Sequence, residues 1–537
     1  MIARTIRRLR QRCQPLTRAC VRCQGQPSRE ELRREVERTQ RENQALRRKI
    51  AEREKQISEQ ERQIRKQEKE IAEREKEIAE REKQITDLER QLAASQKNST
   101  NSSKPPSSDG LAGKSRPRGR AQRRNKKNHR KPGGQKGHPG YSRPLVSLEQ
   151  VQEIKRILPQ TCQHCGQGLP QPVEDLETAG ELHRHQVTEL PPIQPHVVEY
   201  QCPKVVCPAC GEGTRAPLPE EAQKLFGAQL TALIAYLTVV CRMPRRVLEA
   251  FLEQVLSIPI SLGSTQNCWE QASVAVAQPC QELEEQLAHE PVLNSDETGW
   301  RNNGDKRYLW ALVARSFVFY TVAKNRSSKV LLHLLGAVFA GILCSDRFSA
   351  YFKYHKGTAQ LCWAHLKRNI LGMRDFAKTK EAERFCRDAL ALYARLFRLW
   401  RKFQSQLIDR DQLIQRSIPV QKRWFALAQR HLDSHDKEVR NLATALFLHC
   451  GRLFTFLEHP GVEPTNNCVE RALRIGVQWR KTSFGNRSAT GEVATARLLT
   501  VTQTCRLQGR NALDYLREAI VCHRRRQPVP SLLQARK

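Results

Sequence analysis

No stretch of the chain approaches the roughly 18–20 consecutive apolar residues that a membrane-spanning helix needs. The longest candidate, Leu230–Cys241, is closed by Arg242. The opening residues, MIARTIRRLRQRCQ, are basic and lack the apolar segment of a secretory signal. These absences argue against a membrane protein and against secretion, and they predict a cytoplasmic protein.

Acidic residues are too few to balance the basic ones. The 537 residues contain 92 Lys and Arg against 56 Asp and Glu, which gives a formal net charge of +36. Between Lys104 and Arg143 there are 13 basic residues and a single acid, Asp109. An excess of this size indicates a polyanionic partner, nucleic acid before membrane, because net charge governs association rather than fold.

Large apolar residues are scarce from Lys97 to Arg143. This segment reads NSTNSSKPPSSDG, then a basic stretch, then KPGGQKGHPG. Such a composition cannot bury a core, so we expect a linker that is disordered without a partner.

The 18 cysteines are scattered, which favours reduced thiols, some of them on metal, over a disulfide framework. Two Cys-x2-Cys pairs, Cys162/Cys165 and Cys207/Cys210, are each followed by glycine and could supply four tetrahedral ligands to one structural Zn²⁺. Competing readings are His164 or Cys202 as a ligand, or free core cysteines. A further group stays unassigned in an Arg-rich tail: Cys13, Cys20 and Cys23.

A seven-residue repeat runs from Val36 to Leu92, with units such as IAEREKQ and IRKQEKE. One heptad position, a, is apolar throughout except at Asn43. It comprises Val36, Ile50, Ile57, Ile64, Ile71, Ile78, Ile85 and Leu92. The period predicts a left-handed parallel coiled coil. Position d is polar in the middle of the segment, so a solitary charged helix held by Glu/Lys pairs is the alternative.

The rest of the chain alternates between helical and strand patterns. Residues 225–287 have helical periodicity broken at Pro244 and Pro259–Gly263, and residues 375–459 are amphipathic and helical. Between them, Tyr308–Val313, Phe317–Val322 and Gly341–Ser345 are predicted strands, with a helix at 327–335.

Three carboxylates follow this pattern. An apolar run ends at Asp296 and Glu297 before a predicted turn at 301–306, a second run ends at Asp346, and Glu470 lies in the first turns of a late helix. Carboxylates at strand ends and on a helix suit Mg²⁺, which pairs naturally with a phosphodiester substrate.

Each acid also has an ordinary explanation. Asp296 or Glu297 could cap a turn, Asp346 could cap a helix at 347–351, and Glu470 could pair with Arg474. Their order favours a shared site, because strand, hairpin, strand and helix follow one another as in a ribonuclease-H-like sheet.

Six segments, the first two of them in the linker, occur in one order with the cysteine pairs. They are NSTNSSKPPSSDG, KPGGQKGHPG, SDETGW, SDRFSAY, QLCWAHLKRN and PTNNCVERALRIGVQWRKTSFGN. Together they resemble the DDE transposases of the insertion-sequence-66 family over residues 97–517. The resemblance implies a retroviral-integrase-like, ribonuclease-H-like α/β catalytic domain with a helical insertion, a zinc-binding and helical DNA-binding module before it, and the triad Asp296, Asp346 and Glu470.

The expected organisation divides the chain into seven parts, with the N-terminal coiled coil second. They are a basic tail (1–31), coiled coil (32–96), basic linker (97–144), zinc module (145–217), helix-turn-helix-like region (218–288), DDE catalytic domain (289–500, insertion about 375–459), and C-terminal helix with basic tail (501–537).

The activity implied is cleavage at the ends of an insertion sequence and strand transfer to new DNA. Two Mg²⁺ or Mn²⁺ ions on the triad would activate water and then the freed 3′-hydroxyl, and would stabilise the leaving oxygen. The expected partners are double-stranded DNA, a second copy or higher oligomer, and helper proteins of the same element. A non-catalytic zinc-containing regulatory protein and a nuclease without joining activity are the alternatives.

Basic residues near the triad and in the linker are candidates for phosphate contacts. They are Lys114, Arg116, Arg118, Arg120, Arg123, Arg124, Lys126, Lys127, Arg130, Lys131, Lys367, Arg368, Arg471, Arg474, Arg480 and Lys481. His365 could contact DNA, orient a ligand or simply pack in the core, and Trp300 and Trp363 are predicted core residues.

Overall fold

A computed structural model describes residues 28–96, 144–157, 159–169, 183–219 and 222–533. The chain divides into two compact units, residues 1–96 and 97–537. The tail before residue 28 and most of the predicted basic linker lie outside the described residues.

The described part of the first unit is one helix, α1 (Arg29–Gln96). A reciprocal cap begins it: the Ser28 backbone N–H donates to Glu31 Oε2 at 2.9 Å, and the Glu31 N–H donates to Ser28 Oγ at 3.3 Å. The isoleucines of position a follow one stripe, and Ile64 and Ile71 are 53% and 56% exposed. These side chains are therefore not packed against other apolar residues of the helix.

The second unit begins with short irregular segments around the cysteine pairs. A 3-10 turn covers Leu148–Gln150, and a small hairpin joins β1 (Lys204–Val206) to β2 (Gly213–Arg215). An isolated bridge between Thr161 and Gly168 makes a similar tight loop around the first pair. Each Cys-x2-Cys pair thus lies within a loop whose two ends are paired.

Four helices precede the main sheet, broken where the sequence predicts. They are α2 (Ala228–Val239), α3 (Arg245–Leu256), α4 (Leu262–Ala275) and α5 (Ala277–Leu287). Pro244 stands directly before α3, and the Ser261 side chain caps α4. Buried residues of α2, α4 and α5 belong to the same apolar core as the sheet. The predicted region 218–288 therefore shares its core with the residues that follow it.

The main sheet has five strands in the order β5-β4-β3-β6-β7. Their bounds are β3 (Val292–Asn302), β4 (Asp305–Val313), β5 (Val318–Ala323), β6 (Ile342–Ser345) and β7 (Ala359–Leu361). β3, β4 and β5 form an antiparallel meander, and β6 and β7 continue the sheet in parallel with β3. The three strands predicted between residues 308 and 345 are confirmed to within three residues at each end.

The first strand is longer than the sequence suggested. β3 does not end at Asp296 and Glu297; it continues to Asn302 and turns at Asn303 and Gly304, both with positive φ. An Asn-Gly pair in this conformation suits the twist of a two-residue hairpin. The polar residues of β3 stay in the strand because β4 pairs with them throughout, from Asn294 to Asn302.

Helices connect and follow these strands. Two short ones lie on either side of β6, α6 (Ser328–Leu335) and α7 (Ser349–Tyr354). Then come α8 (Trp363–Asp375), α9 (Lys380–Gln404), α10 (Arg410–Arg430), α11 (Lys437–Leu448) and α12 (Cys450–Glu458). Helices α8–α12 enclose a second apolar core that includes Trp363, Phe385 and Trp424.

Three helices complete the unit: α13 (Asn467–Ser483), α14 (Ala489–Leu507) and α15 (Ala512–Arg524). α13 lies against β3 and β4, and α14 lies against β5. A Cβ at Gly476 would overlap the Leu309 side chain, so this glycine permits the close approach of α13 to β4. The predicted boundary at residue 500 falls inside α14.

Among the residues that the structure describes, no helix combines the length and the apolar character needed to cross a bilayer.

Candidate active site

Asp296 on β3 and Asp346, directly after β6, occupy matching positions in the register of two neighbouring parallel strands. β3 and β6 pair Val292 with Ile342 and Asn294 with Cys344, an offset of fifty residues. Continuing this register by two residues sets Asp296 level with Asp346, which directly follows β6. The pairing of the two strands alone thus explains why these two acids lie side by side.

Asp296 is partly buried and surrounded by other carboxylates. Burial raises its pKa well above the usual range, and the charges of Glu297, Asp346 and Glu470 raise it further. Its Oδ1 accepts a hydrogen bond from the Glu297 backbone N–H at 2.9 Å. The acid thus lies where a positive ion would be strongly favoured.

Asp346 lies at the entrance of a helix. Its Oδ1 accepts from the Phe348 backbone N–H at 2.8 Å, just before α7, which starts at Ser349 rather than at residue 347. Burial raises the pKa of Asp346, while this hydrogen bond and His365 act in the opposite direction. Asp346, Phe348, His365 and His449 are among the residues that line a cleft of about 310 Å³.

Glu470 lies in the first turn of α13 and is already paired. Its Oε1 accepts from Arg368 at 2.6 Å and lies 3.5 Å from His365 Nε2. These partners come from α8, so the alternative pairing with Arg474 is not the one that the structure records. Glu470 is thus bound to a neighbouring helix by a cation.

The structure brings the three acids near each other without bringing them to ligand spacing. Among the described residues, the group of His, Cys, Asp and Glu side chains with ligand atoms within 4.8 Å of one another is Cys362, His365 and Glu470. Asp296 and Asp346 stand outside that group, although their charges act on one another and Glu470 acts on Asp296.

Glu297 points to the face of β3 opposite to Asp296, because adjacent strand residues alternate. Its side chain is 1% exposed and forms an ion pair with Arg326 at 2.5 Å. Tyr351 donates to its Oε2 at 2.6 Å, and the Arg326 guanidinium lies 4.2 Å from the Phe348 ring centroid. Sequence reasoning assigned no role to Arg326 or to Tyr351, although Tyr351 ends the SDRFSAY segment.

Asn466 is a third residue to which sequence reasoning assigned no role. It is 1% exposed, its Nδ2 donates to the Ser295 carbonyl at 2.9 Å, and its backbone N–H donates to Cys362 Sγ at 3.1 Å. Asn466 therefore ties the start of α13, which carries Glu470, to β3 and to the start of α8. Its position directly before the Glu470 helix is the signal that could have found it.

Trp300, Trp363 and His365 are all buried. Trp300 and Trp363 are 1% and 0% exposed, so the prediction that they are core residues is confirmed. His365 is also buried, and burial followed by the Arg368 charge lowers its pKa. A neutral imidazole beside Glu470 can accept a metal ion or a proton, which a fully packed core histidine could not.

The predicted phosphate-binding cations separate into two groups. Arg368 is held by Glu470, and Arg480 donates to the Gly299 carbonyl of β3, so these two are engaged within the protein. Exposed positions are Lys367, Arg471, Arg474 and Lys481. The ten linker cations, Lys114 to Lys131, lie outside the described residues.

Both cysteine pairs have one local geometry. In the first, the N–H groups of Cys165 and His164 hold the pKa of the Cys162 thiol below its usual range. Backbone hydrogen bonds close the loop from Gln167 back to Cys162. Such N–H···S contacts stabilise the thiolate, which is the form that binds metal.

The second pair repeats this arrangement. The N–H groups of Ala209 and Cys210 lower the pKa of Cys207, and Gly211 follows with a positive φ as Gly166 does in the first loop. No three of the four cysteine sulfurs lie within 4.8 Å of one another. The structure therefore records two preformed half-sites rather than one assembled site.

Comparison with known families places the chain among transposases. Residues 223–494, about half of the chain, match the transposase IS66 family, and the chain belongs to that family. Residues 159–211 match the zinc-finger binding domain of transposase IS66, which includes both cysteine pairs. Residues 67–144 match a family of unknown function.

A curated relative is the uncharacterized protein y4qI of Sinorhizobium fredii. It is 28% identical over 239 residues, which are 40% of this chain and 43% of that protein. The chain thus spans less than half the length of the curated relative that it matches.

Proposed function

We propose that this chain binds the ends of an insertion sequence and catalyses metal-dependent DNA cleavage and strand transfer as a DDE transposase. The observation that carries the proposal is the matching register of Asp296 on β3 and Asp346 directly after the neighbouring strand β6, with Glu470 on the helix α13 that lies against β3. Membership of a transposase family supports the same reading.

The sheet supports a ribonuclease-H-like catalytic domain. Three antiparallel strands in meander order are followed by two strands parallel to the first, and the first acid lies on the central strand β3. Helices α9–α12 would form the insertion between the second and third acids. The third acid then returns to the sheet on α13, which lies against β3 and β4.

The donor set fits magnesium. Asp296, Asp346 and Glu470 are hard oxygen ligands. Burial, and then repulsion by the carboxylates around it, raise the pKa of Asp296, and a divalent cation would relieve that repulsion. Two such ions, when bound, would activate the attacking oxygen and stabilise the leaving oxygen of a phosphodiester.

Residues of the chain prepare this site. Arg326 and Tyr351 fix Glu297 on the far face of β3, so the strand segment that carries Asp296 is anchored from behind. Asn466 fixes the start of the Glu470 helix, and Arg368 holds the Glu470 carboxylate. A bound magnesium ion would therefore replace Arg368 as the partner of Glu470. The released Arg368 guanidinium could then bind a DNA phosphate.

The zinc-finger match and the two half-sites support one structural Zn²⁺ on Cys162, Cys165, Cys207 and Cys210. The two loops would close on one ion. This ion is separate from the acids of the sheet.

The decisive test of function uses a DNA duplex that ends in the element's terminal sequence. With Mg²⁺ and a pre-cleaved 3′-hydroxyl end, the chain is expected to join that end to a second duplex. Sequencing of the joined product checks this result. Cleavage without any joined product would identify a nuclease instead.

The basic linker is expected to supply much of the non-specific DNA affinity. Removing residues 114–131 should flatten the slope of log affinity against log salt by several units, because each neutralised phosphate contributes about 0.9 to that slope. Fluorescence anisotropy over a salt series measures it. A chain with these residues in scrambled order keeps the charge and should keep the slope, whereas an unchanged slope in the deletion would place the DNA-binding charge elsewhere.

The exposed stripe of α1 supports a parallel coiled coil with a second copy. Replacing Ile64 and Ile71 by Asn should abolish self-association, since both side chains would lie in the seam. Sedimentation equilibrium of wild type and variant measures the effect.

The matched control replaces Lys66 and Glu73 by Asn, with the same spacing on another side of α1, and should leave association intact. If the isolated wild-type α1 segment is monomeric at high concentration, the coiled-coil proposal fails. The helix would then be a spacer of about 100 Å, at about 1.5 Å per residue.

A further inference from the structure

We propose that Cys362, His365 and Glu470 form a second binding site for a zinc-class transition metal, and that an ion bound there competes with the catalytic magnesium for Glu470. One ligand atom from each of the three side chains lies within 4.8 Å of the other two. Cys362 and His365 come from the start of α8, and Glu470 comes from the first turn of α13.

The cysteine of this group has the backbone environment of the zinc half-sites. Cys362 is the N-cap residue of α8, so its Sγ lies near the N–H groups of Ala364 and His365, two and three residues further on, without a side-chain cap hydrogen bond to the helix. The first cysteine of each Cys-x2-Cys loop lies near the N–H groups at the same two positions. The Asn466 N–H adds a third contact at 3.1 Å. Cys362-x2-His365 is thus a third half-site of the same form, with imidazole in place of the second thiolate.

The histidine is available as a ligand. His365 is 8% exposed, its Nε2 lies 3.5 Å from Glu470, and its Nδ1 is buried without a hydrogen-bond partner among the described residues. With the ring proton on Nδ1, the lone pair of Nε2 lies on the Glu470 side of the ring and is available to a metal ion.

The ligand types select the ion. One thiolate and one imidazole favour Zn²⁺ or Co²⁺ over Mg²⁺, and three protein ligands leave a fourth position for water. Burial raises the pKa of Cys362 to about 11, so binding must release the thiol proton to solvent. Arg368 must also leave Glu470, and both costs predict weaker binding than at the four-cysteine site.

The competition follows from geometry and rests on the proposed function. Glu470 lies at ligand spacing from Cys362 and His365, whereas the two aspartates stand outside that group. An ion held by the cysteine and histidine would keep Glu470 on that side and away from Asp296 and Asp346. Zinc bound at this site is therefore expected to inhibit magnesium-dependent cleavage.

The test titrates Zn²⁺ into the full-length chain that retains its copurified zinc. Wild type should take up about one further equivalent per chain, and Cys362→Ala, His365→Gln and Glu470→Gln should each lose it. Cys386→Ala removes another buried cysteine of the same helical core and should keep it. With Co²⁺ as the probe, wild type should show a thiolate charge-transfer band that Cys362→Ala lacks.

No further equivalent in wild type, or equal uptake by Cys362→Ala and Cys386→Ala, would overturn the site. Loss in Cys362→Ala with full retention in Glu470→Gln would overturn the three-ligand assignment. Zinc at the concentration that fills the site should reduce wild-type cleavage about tenfold or more and should spare Cys362→Ala. If the chain cleaves no DNA at all, the competition fails together with the proposed function, while the zinc count still judges the binding site separately.

Discussion

Asp296→Ala, Asp346→Ala and Glu470→Ala are each expected to reduce magnesium-dependent cleavage and strand transfer by about 10²–10³-fold or more, the scale of losing one preorganised electrostatic group. Each substitution removes an oxygen ligand that would fix metal geometry. DNA affinity should not weaken, because cations carry it. Double variants should be no less active than single ones, since a site missing one ligand already fails. Gel-based cleavage and joining assays, with anisotropy for binding, measure both effects.

Two acids of the same sheet serve as controls. Asp305→Asn removes a carboxylate that is 71% exposed at the end of β4 and should keep full activity. Glu297→Gln breaks the ion pair with Arg326, and because Arg326 is partly exposed we expect a loss of about 1–3 kcal/mol in unfolding free energy. It should retain strand transfer at temperatures where it is folded. Full activity in all three triad variants would refute the mechanism, and an inactive, folded Glu297→Gln beside an active Asp296→Ala would reverse their roles.

Removing zinc is expected to unfold the region around both cysteine pairs. This region has two short strands and few buried apolar residues, so the metal-binding free energy, on the order of 10 kcal/mol, would be folding free energy. About one zinc atom per chain should copurify, and a strong chelator should remove it with loss of amide protection across residues 159–215. Hydrogen exchange with and without chelator measures this.

Cys207→Ser should lose the copurified zinc, whereas Cys241→Ser, an exposed cysteine outside the pairs, should keep it. A metal-free preparation with unchanged amide protection and unchanged melting would defeat the assignment of a structural zinc.

Local patterns predicted the strands that carry the acids but not their pairing. The apolar runs before Asp296 and Asp346 were sufficient to locate β3 and β6, because short β-rich runs between turn residues are a local signal. The end of β3 was predicted too early, since Asp, Glu, Thr and Gly have modest strand preference and only pairing with β4 keeps them extended.

The partners of the acids depend on long-range contacts that one sequence cannot reveal. Arg368 was predicted to face DNA, yet it meets Glu470 from 102 residues away, and Arg480 reaches Gly299 across 181 residues. Asn466 and Arg326 are similar cases, because their bonds cross between elements that only the folded sheet brings together. Charge alone could not separate these engaged cations from the exposed ones.

The helices between Asp346 and Glu470 form an insertion whose first and last residues lie close together. The Trp363 N–H donates to the Pro464 carbonyl at 3.0 Å, and the Trp363 indole donates to Leu453 at 2.6 Å. The two ends of this segment of about a hundred residues are therefore hydrogen-bonded to each other beside the sheet. Loop-closure entropy grows only slowly with loop length. Because the two ends of the helical insertion are joined to each other, the insertion can gain or lose whole helices without moving Glu470, which follows it. Changes in the helical insertion therefore need not disturb the positions of the acids at the sheet.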